Sequence, residues 1–582
     1  MDQEPLSAIL GLDIGRINTR ASLFTISDGK YHLLDSGMVA TSLGPGLHLG
    51  TGAGCAMQAL QENSGHVILK AEGGLVMPAT AVGLGVDSVA MTASAGPRIK
   101  IALLGLSEQG SLKAGRALTD SMMLEPVGVF SAEVLLNESS AVDELIRTRP
   151  DVIFLTGGED GGAEGPTLRW VEVLRWLYAL LPDQVKPTLV YSGNPDLERI
   201  VRRRLEPLTA LQISPNIQPA VDEWDLVPAQ NLIEREILRV WEERLTGFSD
   251  ITGLTQTLSG TNGFLFGRMM RYLMRTIEPS QGAKRERGIL LVDLGGGSTT
   301  ISAGMGGQTG TVIMDAWEDA PIGGMDDLCR AAHRWSVAPV TENEARQYVT
   351  EHALHQAVVP ETMKELSLSQ AAARYRLQRG VKQLSENHPW FDLNSANLGH
   401  FEPVIASGAV LSQAPSPGQA MLVLLDGLQP CGITTLVLDR YHLLPLLGAA
   451  GEAQPALPVH LLTSDAFVNL GTVISPVSRV SNGRQILNVQ VSAEDGTEYS
   501  VDIAQGTLRR LVVPEGVKAV LELKPSRQTE IGFGGKGVGG RLKVTSGVLG
   551  IVIDARGRPL QLPDEDESRF EQLQSWLWSL SG

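Results

Sequence analysis

Three cysteines in 582 residues, Cys55, Cys329 and Cys431, are too few and too far apart for a disulfide framework or a thiolate zinc site. None stands in a Cys-x-x-Cys pair, so they read as ordinary thiols of a reducing compartment. Long apolar runs are missing too: a stretch such as Ala420 to Leu425 is far too short to span a bilayer. The first residues carry no basic segment ahead of an apolar one, so no signal peptide is expected and the chain is expected in the cytoplasm. Positive charge is in deficit, with 48 Lys and Arg against 65 Asp and Glu, a net charge of -17. That balance argues against nucleic acid or an anionic membrane as the main partner, although surplus carboxylates also keep a large protein soluble. A content of 43% hydrophobic and 19% charged residues leaves a globular chain long enough for three or four domains.

Glycine, by contrast, is placed where it can carry chemistry. Ile289-Leu-Leu-Val292 is an apolar run suited to a buried strand, ending in Asp293 and, after Leu294, in Gly295-Gly296-Gly297-Ser298-Thr299-Thr300. Without Cβ atoms, the three glycines let backbone N–H groups approach phosphate oxygens closely, and Ser298 and Thr299 add hydroxyl donors. Asp293 at the strand end suits Mg²⁺ held through water, because that ion gives up its hydration reluctantly. One such turn is more often a tight turn than a nucleotide site. A second stands at the N-terminus, where the strand Ala8-Ile-Leu-Gly-Leu ends in Asp13-Ile-Gly15-Arg16-Ile-Asn18-Thr19, followed by alternation from Ala21 to Ile26.

Two Asp-x-Gly turns far apart in sequence resemble the paired phosphate loops of the actin, Hsp70 and sugar-kinase superfamily. Pro403-Val-Ile-Ala-Ser407-Gly408-Ala409 resembles that superfamily's adenosine loop. The resemblance implies a two-lobed, ribonuclease H-like α/β fold in which each half supplies one hairpin and ATP sits between them. It assigns nucleotide contacts to Asp13, Gly15, Arg16, Asn18 and Thr19, to Asp293 and Gly295 to Thr299, and to Ser407, Gly408 and Ala409. Asp13 and Asp293 are the expected residues for Mg²⁺. Pro321-Ile-Gly323-Gly324-Met-Asp326-Asp327 resembles the turn that starts the second half's helices, and His442 to Ala450 its second connecting helix.

From Ala93 the pattern changes. Strands at Ile99, Val127, Asp151, Thr188 and Leu211 alternate with helical stretches, which predicts a parallel, doubly wound domain inserted over 93–246. Its loop Thr156-Gly-Gly-Glu159-Asp160-Gly-Gly162 falls at a strand's C-terminal end, where such sheets place ligands. An exposed acidic turn is an equally good reading. The helix from Leu226 to Trp241 is amphipathic and is expected to pack the insert back onto the body. Arg268, Arg271 and Arg275 share one helical face, expected to be solvated.

Asp151 to Gly162, Thr92-Ala-Ser-Ala-Gly96 and Asn216-Ile-Gln-Pro219 narrow the resemblance to the MutL (GlmL) family, actin-like accessory proteins of adenosylcobalamin-dependent glutamate mutase, which share only a name with a DNA-repair protein. It runs to about Pro455. Asp439-Arg-Tyr-His442 has the wrong spacing for the cobalamin pattern Asp-x-His-x-x-Gly, so any cobalamin belongs to a partner. Actin-like lobes are thus expected over 1–92 and 247–454, with a C-terminal antiparallel β domain and a terminal helix over 459–582. Gly532-Phe-Gly534-Gly-Lys536-Gly537 matches a dinucleotide fingerprint, but no helical sequence follows. Phe570, Leu573, Leu577 and Leu580 share a face of the terminal helix, expected to pack on its own β domain.

The family resemblance implies an ATP-binding protein, a possible ATPase, acting on a mutase as a chaperone. A small-molecule kinase and a nucleotide-gated scaffold without hydrolysis are the alternatives. Arg16 and Ile17 stand where relatives have Ser or Thr, and Thr300 where many have Asp, which touches hydrolysis more than binding.

Overall fold

Apolar runs bounded by glycine turns become buried strands in both halves of the chain. The computed structural model describes residues 8–44, 46–80, 83–132, 138–221, 223–255, 259–276, 287–317, 324–391 and 401–581. Residues 321–323 of the turn Pro321 to Asp327 lie outside them. The chain divides into two compact units, one from Ile9–Ser22 with Asp35–Leu265, the other including Leu23–Leu34 and Phe266–Gly582.

A first sheet places its five strands in the order Lys30–Ala40, Asn18–Ser27, Ala8–Ile14, Ser88–Ala93, Ser259–Thr261. By chain order within the sheet that is third, second, first, fourth, fifth. The eight-stranded sheet of the other unit begins with the same order: Gln308–Asp315, Ser298–Met305, Gly288–Leu294, Phe401–Ser407, Gly432–Asp439. In both, the first strand runs parallel to the fourth, and its aspartate lies in register with a hydroxyl residue, Asp13 with Thr92 and Asp293 with Ser407. This repeated α/β plan, with mixed sheets and helical regions, is actin-like.

Between Ser88–Ala93 and Ser259–Thr261 the chain makes a five-stranded sheet of its own, Leu124–Ser131, Ile99–Gly105, Val152–Leu155, Thr188–Tyr191, Leu211–Ile213, all parallel. Strands buried on both faces need apolar residues at every position, and Val152–Leu155 is wholly buried. The helix Val227–Arg244 returns the chain to the first sheet: Trp241 Nε1 donates to Pro97 O at 2.8 Å, and Glu234 accepts from Thr261 Oγ1 at 2.8 Å.

The C-terminal region divides between two sheets. Gln485–Ala493, Glu498–Ala504, Lys518–Pro525 and Gly540–Thr545 form a separate antiparallel sheet, whereas Phe467–Ser475, Ile551–Asp554 and Leu508–Leu511 extend the eight-stranded sheet. The terminal helix Asp566–Ser581 does not pack only on β structure. A Cβ added to Gly418 would lie 2.3 Å from Leu580 O, so this helix lies close against Pro417–Leu428. The glycine run 532–537 leads into strand Gly540–Thr545, as its lack of helical sequence requires.

Candidate nucleotide site

Loop 2 joins Gly288–Leu294 to Ser298–Met305, and its backbone carbonyls are all held from one side. Arg376 Nη2 donates to Gly295 O at 2.6 Å and to Ser298 O at 2.9 Å. Trp317 Nε1 donates to Gly296 O at 2.9 Å, and the Ala316 N–H to Gly297 O at 3.1 Å. In a trans peptide the C=O and the next N–H point in opposite directions. The N–H groups of Gly296, Gly297 and Ser298 are therefore turned away from Arg376 and Trp317, as a set of donors suited to an anion. Thr299 is buried, and its Oγ1 accepts from Arg376 Nε at 2.8 Å, so its hydroxyl supports the loop from behind.

Arg376 is fully buried on the helix Met363–Asn387. Burial lowers its pKa to about 10, with Asp293 and Tyr348 acting in the opposite direction, and the guanidinium stays charged at neutral pH. Trp317 is braced in turn by Tyr348 and His352, whose rings stack at 3.9 Å; burial raises the Tyr348 phenol to about 12.

Loop 1 repeats the construction with other residues. Thr41, just past Lys30–Ala40, donates its N–H to Ile17 O at 2.8 Å and its Oγ1 to Gly15 O at 2.7 Å. The Gly15 N–H donates to Asn18 O at 3.0 Å, and Thr19 Oγ1 lies 2.9 Å from Thr41 Oγ1. Thr41 corresponds to Ala316, so where loop 1 uses one threonine, loop 2 has an alanine whose missing side chain is replaced by Arg376. A Cβ on Gly15 would meet Asn18 O at 2.7 Å, which makes glycine obligatory there. Arg16 and Asn18 are partly exposed on this turn, and Asp13 is buried at its base.

Around Asp293 the structure gathers Ser407, His442 and Asp439. His442 Nδ1 lies 3.5 Å from Asp293 Oδ1 and 2.9 Å from Ser407 Oγ. Ser407 is wholly buried and donates to Asp439 Oδ2 at 3.4 Å; that oxygen also accepts the Leu443 and Leu444 N–H groups at 2.7 and 3.0 Å, starting the helix Leu444–Ala450. Gly408 has φ +99°, and a Cβ on it would lie 2.3 Å from Leu294 C. Only glycine permits that approach, which sets the start of the short helix Ala409–Ser412 beside loop 2.

These residues fit the phosphates of a nucleotide: outward N–H groups, glycines where side chains would intrude, and a buried carboxylate beneath. Among the described residues no group of three or more His, Cys, Asp or Glu side chains is arranged to hold a metal. The magnesium that accompanies ATP needs only one or two carboxylates besides phosphate and water, and Asp293, buried beside loop 2, is of the type that suits it. Reading the sequence missed Arg376, Trp317, Thr41 and His442. Arg376 left one trace, a charge on the apolar face that carries Ala373, Leu377 and Gly380.

Other expectations resolve more simply. Asp160 Oδ1 accepts from Asn216 Nδ2 at 2.9 Å, which ties the acidic loop of the insert to the segment Asn216–Pro219. The arginine stripe is not uniformly solvated: burial lowers Arg271 to about 10, with Arg268 and Arg275 lowering it further, and Arg268 pairs with Glu452 at 2.6 Å. Among the described residues no helix is long and apolar enough to cross a membrane.

Fold and turns together define an actin-like α/β protein with two strand–Asp–x–Gly turns of common design. Residues 9–466 match the family described as MutL protein, and the chain belongs to that family. No curated protein matches. Matching solved structures include a glycerol dehydratase reactivase, at 9% identity over 73% of this chain and 95% of that one, with a TM-score of 0.26. Others are the Aquifex aeolicus member of the Ppx/GppA family, at 12% identity over 70% and 68% with a TM-score of 0.19, and an exopolyphosphatase from Cytophaga hutchinsonii, at 9% over 71% and 71% with a TM-score of 0.20.

Proposed function

We propose that this chain binds ATP with Mg²⁺ and serves as an accessory factor that restores a cobalamin-dependent mutase. The observation that carries nucleotide binding is loop 2, whose carbonyls are drawn back by Arg376, Trp317 and Ala316 while Asp293 and the Gly408 turn lie alongside. The outward N–H groups of Gly296 to Ser298 hold phosphate oxygens, and Asp293 orients the magnesium-bound waters. Ser407 and Gly408 leave a wall of small residues for the sugar and base, and the loop 1 residues Asp13, Gly15, Arg16 and Asn18 are proposed as further phosphate contacts. Bound ATP supplies a triphosphate whose cleavage is strongly favourable, and a protein that holds ATP and ADP differently can use that to change conformation.

The mutase as client rests on membership of the MutL family and on the resemblance of its segments to the accessory proteins of glutamate mutase. The test is to inactivate a cobalamin-dependent mutase by turnover and add this protein with ATP, Mg²⁺ and fresh adenosylcobalamin. Recovery of activity with wild type, and none with Asp293→Ala or with ADP, is expected. No recovery in the presence of wild type that demonstrably binds ATP would refute the client while leaving nucleotide binding intact.

A further inference from the structure

Large apolar side chains exposed singly are normal on a protein surface, but clusters mark contacts. Two ten-residue windows here carry seven of them. Leu354, Val358, Val359 and Met363 sit where the helix Glu342–Leu354 turns into Met363–Asn387, and Trp176, Leu180 and Val185 sit on and after the helix Glu164–Leu180. Each is between 52% and 74% exposed. Their positions within each window are local: the Val358 N–H donates to His355 O at 3.2 Å, folding the first loop tightly, and Trp176 and Leu180 are one helical turn apart on one face.

The charges bordering the two clusters are opposite in sign. The first has Glu351, Glu361 and Glu365, while its one lysine, Lys364, is drawn to Glu344 at 3.0 Å. The second has Arg169 two turns before Trp176 on its face, Arg175 and Arg204 converging on Glu172, and Lys186 paired with Asp183 at 2.8 Å, so its basic residues outnumber its acidic ones. An acidic rim repels its own copy and attracts the basic one, and tryptophan with arginine is the composition of binding hot spots.

We infer that the 354–363 cluster of one molecule docks on the 176–185 cluster of a second copy of this chain. Because the two surfaces differ, the contact is head-to-tail: each molecule added leaves one donor and one acceptor surface unused, and assembly closes into a ring or continues as a chain. The occupant is a second copy because both complementary surfaces belong to the same sequence. This inference does not depend on nucleotide binding or on a client.

Sedimentation of the full-length protein, without nucleotide, tests it. The average mass of wild type is expected to rise with concentration between about 1 and 100 μM, the range of small interfaces. Val359→Asp and Trp176→Asp, both at exposed positions and expected to melt as wild type does, should each remain monomeric alone. Mixed in equal amounts they should give a species of twice the monomer mass and nothing larger, since one intact surface of each kind remains. Wild type monomeric throughout, either variant associating as wild type does, or a mixture that stays monomeric would overturn the inference.

Discussion

At the scale of single residues, the site depends on which atoms hold the loop carbonyls. Replacing Arg376 with methionine keeps a long apolar stem but removes three hydrogen bonds from loop 2. The loop N–H groups then lose their common direction, and ATP affinity is expected to fall about 10- to 100-fold, equivalent to one or two hydrogen bonds, in a protein that still folds. Calorimetric titration with circular dichroism of the variant checks both halves of that statement. Gly408→Ala acts differently: with φ +99° and a Cβ 2.3 Å from Leu294 C, it is expected to cost about 2–4 kcal/mol of stability in urea unfolding, besides weakening binding. The sequence shows Asp13, Asp293 and the glycines because their types and spacing are the chemistry. Arg376 and Thr41 are hidden in it because they act on backbone carbonyls, which every residue possesses, and one of them arrives from far along the chain. Thr19 and Thr299 have the residue type expected of phosphate donors, yet their hydroxyls contact Thr41 and Arg376.

At the scale of elements, the helix Met363–Asn387 is the connecting member. Two residues before Arg376, Arg374 Nε donates to Asp426 Oδ2 at 2.7 Å, and Asp426 Oδ1 accepts from Arg556 Nη1 at 2.7 Å. Arg556 and Arg558 both pair with Asp554, and the Arg556 guanidinium lies 4.4 Å from the Trp576 ring centre. Helices, the strand Ile551–Asp554 and the terminal helix thus share one buried charge network. Burial alone would raise the Asp554 pKa, but the charges and hydrogen bonds of Arg556 and Arg558 outweigh it and hold the carboxyl well below its usual range. Its stabilisation is therefore complete above the unfolded-state pKa, near 4, and is lost as pH falls toward the lower folded value. Asp554→Asn is expected to cost about 3–5 kcal/mol at pH 7, since it removes the carboxylate that Arg558 pairs with and leaves buried Arg556 only Asp426, which it shares with Arg374. It should also abolish that residue's share of the stability lost between pH 7 and pH 3, as denaturant titrations at the two values would report. Alternation in the sequence identifies the C-terminal strands, but their partners are set by distant contacts. Periodicity therefore could not tell that Phe467–Ser475, Leu508–Leu511 and Ile551–Asp554 extend the large sheet while their neighbours form another.

At the scale of the molecule, two units carry one strand order and one kind of acidic turn, and the aspartate of each turn is proposed to act in nucleotide binding. Thermal unfolding should shift upward with ATP and Mg²⁺, a stabilisation of about 2.7 kcal/mol at a hundredfold excess over Kd. The shift should shrink in a variant of either aspartate. The direct measurement is calorimetric titration of ATP with Mg²⁺ into wild type, Asp13→Ala and Asp293→Ala. One nucleotide per chain, with affinity at least about tenfold weaker in each variant, is the predicted result, as expected when a single charged contact is lost. Two independent sites per chain, or either variant binding as tightly as wild type, would contradict it.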